Sequence, residues 1–168
     1  MAVTGTNNGN AEEHLSLPAR DLHFPTDRSM GELFIRDGVH RADDYAFWEP
    51  VGRAQGYLAI PAGKELRLNV NPQASMDLSP FRAIPAHAIQ YLQLSASRVN
   101  NDSLAHLAHL TGLRVLWLYD TRISDAGLVH LQSLSGLRVL NLRSTLASRG
   151  GIDALQAKLP KCEFRRPW

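Results

Sequence analysis

The sequence predicts an α/β chain built as a short solenoid, with parallel strands on a concave side, helices on a convex side and a β-rich cap at its N-terminal end. Three observations predict it. Apolar positions recur at a fixed period from Glu65 onward, each period passes from strand-like to helix-like spacing, and the first third of the chain lacks the period.

The period is read directly from the residues. Leu137-Arg-Val-Leu-Asn-Leu142 lies 24 residues after Leu113-Arg-Val-Leu-Trp-Leu118, and Thr145, Ser148, Gly151, Ile152 and Leu155 follow Thr121, Ser124, Gly127, Leu128 and Leu131 at the same step. One step earlier stand Ile89, Leu92, Leu94, Ser97, Leu104, Leu107 and Leu110. A looser copy precedes these at a step of 26, with Leu66, Leu68, Leu78, Phe81 and Ile84, and Lys161–Phe164 reads as a last, truncated strand.

Within a copy, Leu116 and Leu118 alternate as in a strand, and Leu128, Leu131 and Leu134 recur three apart as in a helix. Asn100, Ser124 and Ser148 stand just before each helical stretch, where a short polar side chain accepts from an otherwise unpaired N–H. Helices are therefore expected near 101–110, 125–134 and 149–158. A unit of this kind cannot bury its own apolar face, so the copies must stack. Ser97, Thr121 and Thr145 recur where the chain leaves each strand, and their hydroxyls are expected to satisfy backbone groups at the bend.

The run L-x-x-L-x-L-x-x-T-x-I-x-D-x-G-L-x-x-L, carried best by residues 113–136, resembles the leucine-rich repeat, in the bacterial form whose copies read T-x-I-x-D-x-G-L-x-x-L. The resemblance covers about residues 65–164 and implies a leucine-rich-repeat solenoid of about four copies plus a terminal strand over 65–168. Ala147 and Arg149 depart from the motif where Ile123 and Asp125 fit it. Such repeats serve many binding functions on one scaffold, so the resemblance implies a fold and names no partner.

Before the repeats, residues 1–28 are polar and aperiodic and read as a disordered or loosely packed arm. Residues 29–64 read as a cap, with Leu33-Phe-Ile35 and Tyr57-Leu-Ala-Ile60 as strands and Trp48 between them. An end repeat exposes leucines that such an element covers.

Composition limits the function classes. The net charge of +2 hides six Lys and Arg against nine Asp and Glu in residues 1–64, and twelve against seven in residues 65–168. That basic excess is too diffuse for a nucleic-acid binder. With Cys162 as its one cysteine the chain forms no internal disulfide, the N-terminus does not read as a secretory signal, and no stretch is apolar enough for a membrane span. A cytoplasmic protein is the expectation.

Little in the sequence points to catalysis. His106 and His109 share a helical face, but a metal site needs further ligands that the spacing does not supply, and His130 repeats His106 at the period. Cys162, near Arg165 and Arg166, reads as a core cysteine before a reactive one. Asp43 and Asp44, with Glu49 nearby, read as solvated loop carboxylates. No cofactor, no metal and no enzymatic activity are expected.

The strand face remains. Residues between the core leucines point outward, giving Glu65, Arg67 and Asn69, then Tyr91, Gln93 and Ser95, then Val115, Trp117 and Tyr119, then Val139, Asn141 and Arg143. Aromatics beside Arg on an exposed face have the composition of binding hot spots. The expected function is a protein–protein interaction module, with Tyr91, Trp117 and Tyr119 as anchors and Arg67, Gln93, Asn141 and Arg143 as orienting contacts to a partner protein of unknown identity. Cap residues folding over Trp117 are the competing expectation for this face. An accessory subunit, held in an assembly through its cap, its helical side or its arm, is the alternative function.

Overall fold

The computed structural model describes residues 17–38 and 47–166. Two sheets carry the fold. In the smaller, β1 (Arg20–His23) pairs antiparallel with β4 (Tyr57–Ile60). The larger has seven strands in the order β3 (Glu49–Arg53), β2 (Gly31–Asp37), β5 (Lys64–Val70), β6 (Tyr91–Gln93), β7 (Val115–Trp117), β8 (Val139–Asn141) and β9 (Glu163–Arg165). Strands β5 to β9 run parallel, and β2 joins β5 antiparallel.

The parallel strands keep the sequence period as their register. Leu68, Leu92, Leu116, Leu140 and Phe164 are lateral neighbours, as are Asn69, Gln93, Trp117, Asn141 and Arg165. One face of the sheet therefore carries the buried leucines, which join the leucines of the connecting segments in one continuous core. Because strand side chains alternate, the intervening residues all meet on the opposite face.

The expected fold class, a leucine-rich-repeat solenoid with helices along its convex side, is corrected here. The chain is mixed α/β, with two antiparallel strands built into its main sheet, a second antiparallel sheet and little helix. Where 101–110 is expected to be helical, Asp102–Leu107 is a 3-10 helix; 125–134 yields one α turn, α1 (Asp125–Leu128), that tightens into a 3-10 turn over Val129–Leu131. Among the described residues, only α2 (Arg149–Lys158) is a full helix. Neighbouring strands lie about 4.8 Å apart, whereas a helix with its side chains is about 10 Å across, so full helices on successive copies would force the sheet to curve strongly, and the narrower 3-10 turns ease that mismatch. Asn, Asp, Ser, His and Gly in the first two segments are also weak helix formers.

The bends after the strands repeat as closely as the leucines. Ala96, Asp120 and Ser144 all have φ between 51° and 55°, a left-handed turn that no glycine announces. The hydroxyls of Ser97, Thr121 and Thr145 donate to the carbonyls of Leu94, Leu118 and Leu142 at 2.5 to 2.7 Å, closing each bend.

The N-terminal segments are more integrated than the sequence suggests. Residues 1–16 of the expected arm lie outside the described residues, but β1 buries Leu22 in the core and Phe24 follows it. Arg20 Nε donates to the Ala88 carbonyl at 2.9 Å, and its Nη2 donates to the Lys64 carbonyl at 3.0 Å and Gln90 Oε1 at 3.1 Å. At the sheet edge, β3 is exposed along its whole length, carries Pro50 and slips register at Val51, features that discourage further strand pairing. Among the described residues, no helix is long and apolar enough to cross a membrane.

Candidate partner-binding strand face

The outer face divides into a closed N-terminal part and an open C-terminal part. The closed part forms because β2 continues the sheet past β5. Their pairing sets Arg36 opposite Glu65, and both side chains are buried, at 2% and 1% exposure. Arg36 Nε donates to Glu65 Oε2 at 2.8 Å, Arg114 holds the other carboxylate oxygen, and Arg36 also donates to the Tyr91 hydroxyl. Its guanidinium lies 4.5 Å from the Trp48 ring centre and 4.7 Å from that of Tyr91, within cation–π reach of both.

This arrangement corrects the reading of Tyr91 as an exposed anchor. Trp48 meets it edge-on with ring centres 4.7 Å apart, and Tyr91 is only 7% exposed. Tyr91, Val115 and Val139 form a small buried cluster, with Trp48 and Trp117 packed against it. The competing expectation places cap residues over Trp117; among the described residues Trp48 of the cap packs onto Tyr91, and Trp117 is half-buried. Arg36 and Arg114 were missed at the sequence level: the β2–β5 register brings Arg36 to Glu65, and the parallel stacking of β5, β6 and β7 brings Arg114 there.

Arg67 belongs to the boundary between the two parts. Its Nε donates to Asn69 Oδ1 at 2.8 Å, and its guanidinium lies 5.6 Å from the Phe34 ring centre and 6.0 Å from that of Trp117. Beyond it the face opens. Gln93, Trp117 and Asn141 are half-buried in one row, and Tyr119, at 45% exposure, and Arg143 stand beside them in the next. Backbone bonds continue past the strands, from Ala96 N–H to the Tyr119 carbonyl at 2.8 Å and from Asp120 N–H to the Arg143 carbonyl at 3.0 Å, so Ser95, Tyr119 and Arg143 remain lateral neighbours.

The other candidate residues have structural partners. Arg82 Nε donates to His106 Nδ1 at 2.8 Å, and His109 Nε2 lies 2.9 Å from the Ile84 carbonyl. Among the described residues, no three His, Cys, Asp or Glu side chains gather as a metal site would require. Cys162 is a buried free thiol just before β9, and burial pushes its pKa up to about 12. The Asp43 and Asp44 pair lies outside the described residues. No protein-family model matches the chain, and no curated protein matches it.

Proposed function

We propose that the chain is a protein-interaction module that takes a partner protein on the open part of its strand face. The observation that carries this reading is the pairing of Tyr119, 45% exposed, with exposed Arg143 on a neighbouring strand extension, beside half-buried Trp117 and Asn141. An aromatic and an arginine held on a rigid sheet give large contact area at low entropic cost, the usual composition of an interface hot spot. Arg67, Gln93 and Asn141 supply orienting polar contacts, and Tyr91 supports the face from within. The resemblance of residues 113–136 to leucine-rich repeats is in keeping with a binding role. A cytoplasmic location agrees with a single cysteine kept as a buried thiol.

A second reading, an accessory subunit held away from this face, draws on Leu146 and Val129, exposed at 68% and 54%. Affinity capture with quantitative mass spectrometry separates the two. The tagged chain is compared with Tyr119→Ala/Arg143→Glu and with Leu146→Ser/Val129→Ser, each shown by circular dichroism to be folded. Loss of a specific partner in the first variant alone supports the strand face; loss in the second alone supports the accessory role and contradicts the first reading.

A further inference from the structure

Three side-chain amides share one row of the outer face. Asn69, Gln93 and Asn141 stand on β5, β6 and β8, with Trp117 of β7 between the last two. Each turns its carbonyl oxygen back into the chain: Asn69 Oδ1 accepts from Arg67 Nε at 2.8 Å, Gln93 Oε1 from the Ser95 N–H and hydroxyl at 3.4 and 2.9 Å, and Asn141 Oδ1 from the Arg143 N–H at 3.1 Å. A guanidinium and a backbone N–H only donate, so these bonds fix which end of each amide is oxygen. The NH2 ends are left for other partners. Among the described residues none of the three meets an acceptor, and all keep access to solvent.

The charges along the row are uneven. At one end Glu32 of β2 pairs with Asn69, which also carries the Arg67 guanidinium, so the two charges offset each other; at the other, Arg165 of β9 pairs with Asn141 and is ion-paired with Glu163 at 3.5 Å, and exposed Arg143 stands alongside as a further cation. Three strand spacings separate Asn69 from Asn141, about 14 Å, which is the length of roughly four extended residues. A surface that offers donors in a line and an excess cation at one end is complementary to acceptors in a line with an anion at that end. A run of phosphates fits it poorly, because Glu32 and Glu163 flank the row and its open end has few cations.

We propose that this row binds an extended, acidic segment of the partner protein. The segment's backbone carbonyls accept from the amides of Asn69, Gln93 and Asn141, an apolar side chain rests on Trp117 and Tyr119, and an Asp or Glu carboxylate lies over Arg143. This rests on the strand-face reading above and adds the chemistry of the occupant.

The test is selection of a random dodecapeptide display library on the full chain, followed by affinity measurements with the labelled winning peptide. Gln93→Glu/Asn141→Asp is the informative variant, because the new carboxylates still accept from Ser95 and Arg143 while the outward donors are gone. Wild type should enrich peptides rich in Asp and Glu, the winner should bind the double variant at least about tenfold more weakly, as the loss of two neutral hydrogen bonds implies, and Arg143→Glu should abolish the acidic enrichment. Winners without acidic residues, affinity unmoved by the double variant, no enrichment at all, or displacement of the peptide by a single-stranded oligonucleotide would each overturn the proposal. Non-acidic winners that still need Tyr119 would leave the strand-face reading standing, and winners indifferent to both Tyr119→Ala and the double variant would end both.

Discussion

Asp125 holds Ser148 of the following copy through two bonds: its Oδ1 accepts the Ser148 backbone N–H at 2.8 Å and its Oδ2 the Ser148 hydroxyl at 2.6 Å. With its proton committed to Asp125, the hydroxyl oxygen accepts from Gly151 N–H at 3.1 Å and caps α2. One period earlier Asn101 does the same for Ser124, accepting its N–H at 2.9 Å and donating to its hydroxyl at 2.9 Å. The repeated glycines make room for these bridges. A Cβ at Gly151 would sit 2.2 Å from Asp125 Oδ1, and one at Gly127 would sit 2.6 Å from Asn101 Oδ1.

Asp125→Ala should therefore cost about 1 to 2 kcal/mol, as the loss of the two bridging bonds that orient the Ser148 cap. Gly151→Ala should cost a similar amount alone, yet little when Asp125 is already Ala, because the obstacle has gone. Urea unfolding of the two single variants and the double measures this coupling, expected at about 0.5 kcal/mol or more. Strict additivity would refute the bridge.

Leu116 lies at the centre of the leucine row, with Leu92 and Leu140 on either side. Leu116→Ala should destabilise the chain by about 2 to 5 kcal/mol through a core cavity. Leu146→Ala, on an exposed side chain, should stay within about 0.5 kcal/mol of wild type. Thermal and urea denaturation compare them.

Glu65 holds Arg36 and Arg114 together beneath the closed part of the face. Glu65→Ala removes the carboxylate from the buried Arg36 and should cost about 3 kcal/mol or more. With Trp117 and Trp168 replaced by Phe, Trp48 fluorescence should report the loosening as a red shift at urea concentrations below the main transition, since its ring rests on Arg36 and Tyr91. An unchanged emission spectrum and midpoint would show that the cluster does not hold the cap.

Cys162 predicts an alkaline limit to stability. Burial raises the thiol from an ordinary 9.0 to about 12, so the folded chain keeps its proton where the unfolded chain loses it. The stabilising contribution is complete below pH 9 and is lost as pH rises from there toward 12. In wild type, stability should fall across that window more steeply than in Cys162→Ala. Native thiol labelling at pH 8 should be slow and become fast in denaturant.

The leucine register was legible because a strand leaves its trace as alternation, and a stacked strand must repeat that trace at a constant step. Leu92, Leu116 and Leu140 are lateral neighbours for this reason, and the bend hydroxyls of Ser97, Thr121 and Thr145 follow from the same step. The helical reading of 101–110 rests on leucines three apart after a capping position; apolar residues three apart fit a 3-10 turn as well as an α-helix, so that pattern does not choose between them. The β2–β5 pairing was not legible, because Arg36 and Glu65 are separated in sequence and their approach depends on a register that no local pattern encodes. Burial of Tyr91 beneath Trp48 followed from that pairing and was missed with it. On the open part of the face, Trp117, Tyr119, Asn141 and Arg143 follow from alternation within their own copies, which needed no long-range information.

Contact of a partner with the outer strand face is tested most directly by site-specific photo-cross-linking in cells, with benzoylphenylalanine introduced in place of Tyr119 on that face or of Val129 on the helical side. Covalent capture of one protein from position 119, and none from position 129, is the predicted result. Capture of the partner from position 129 alone would contradict it.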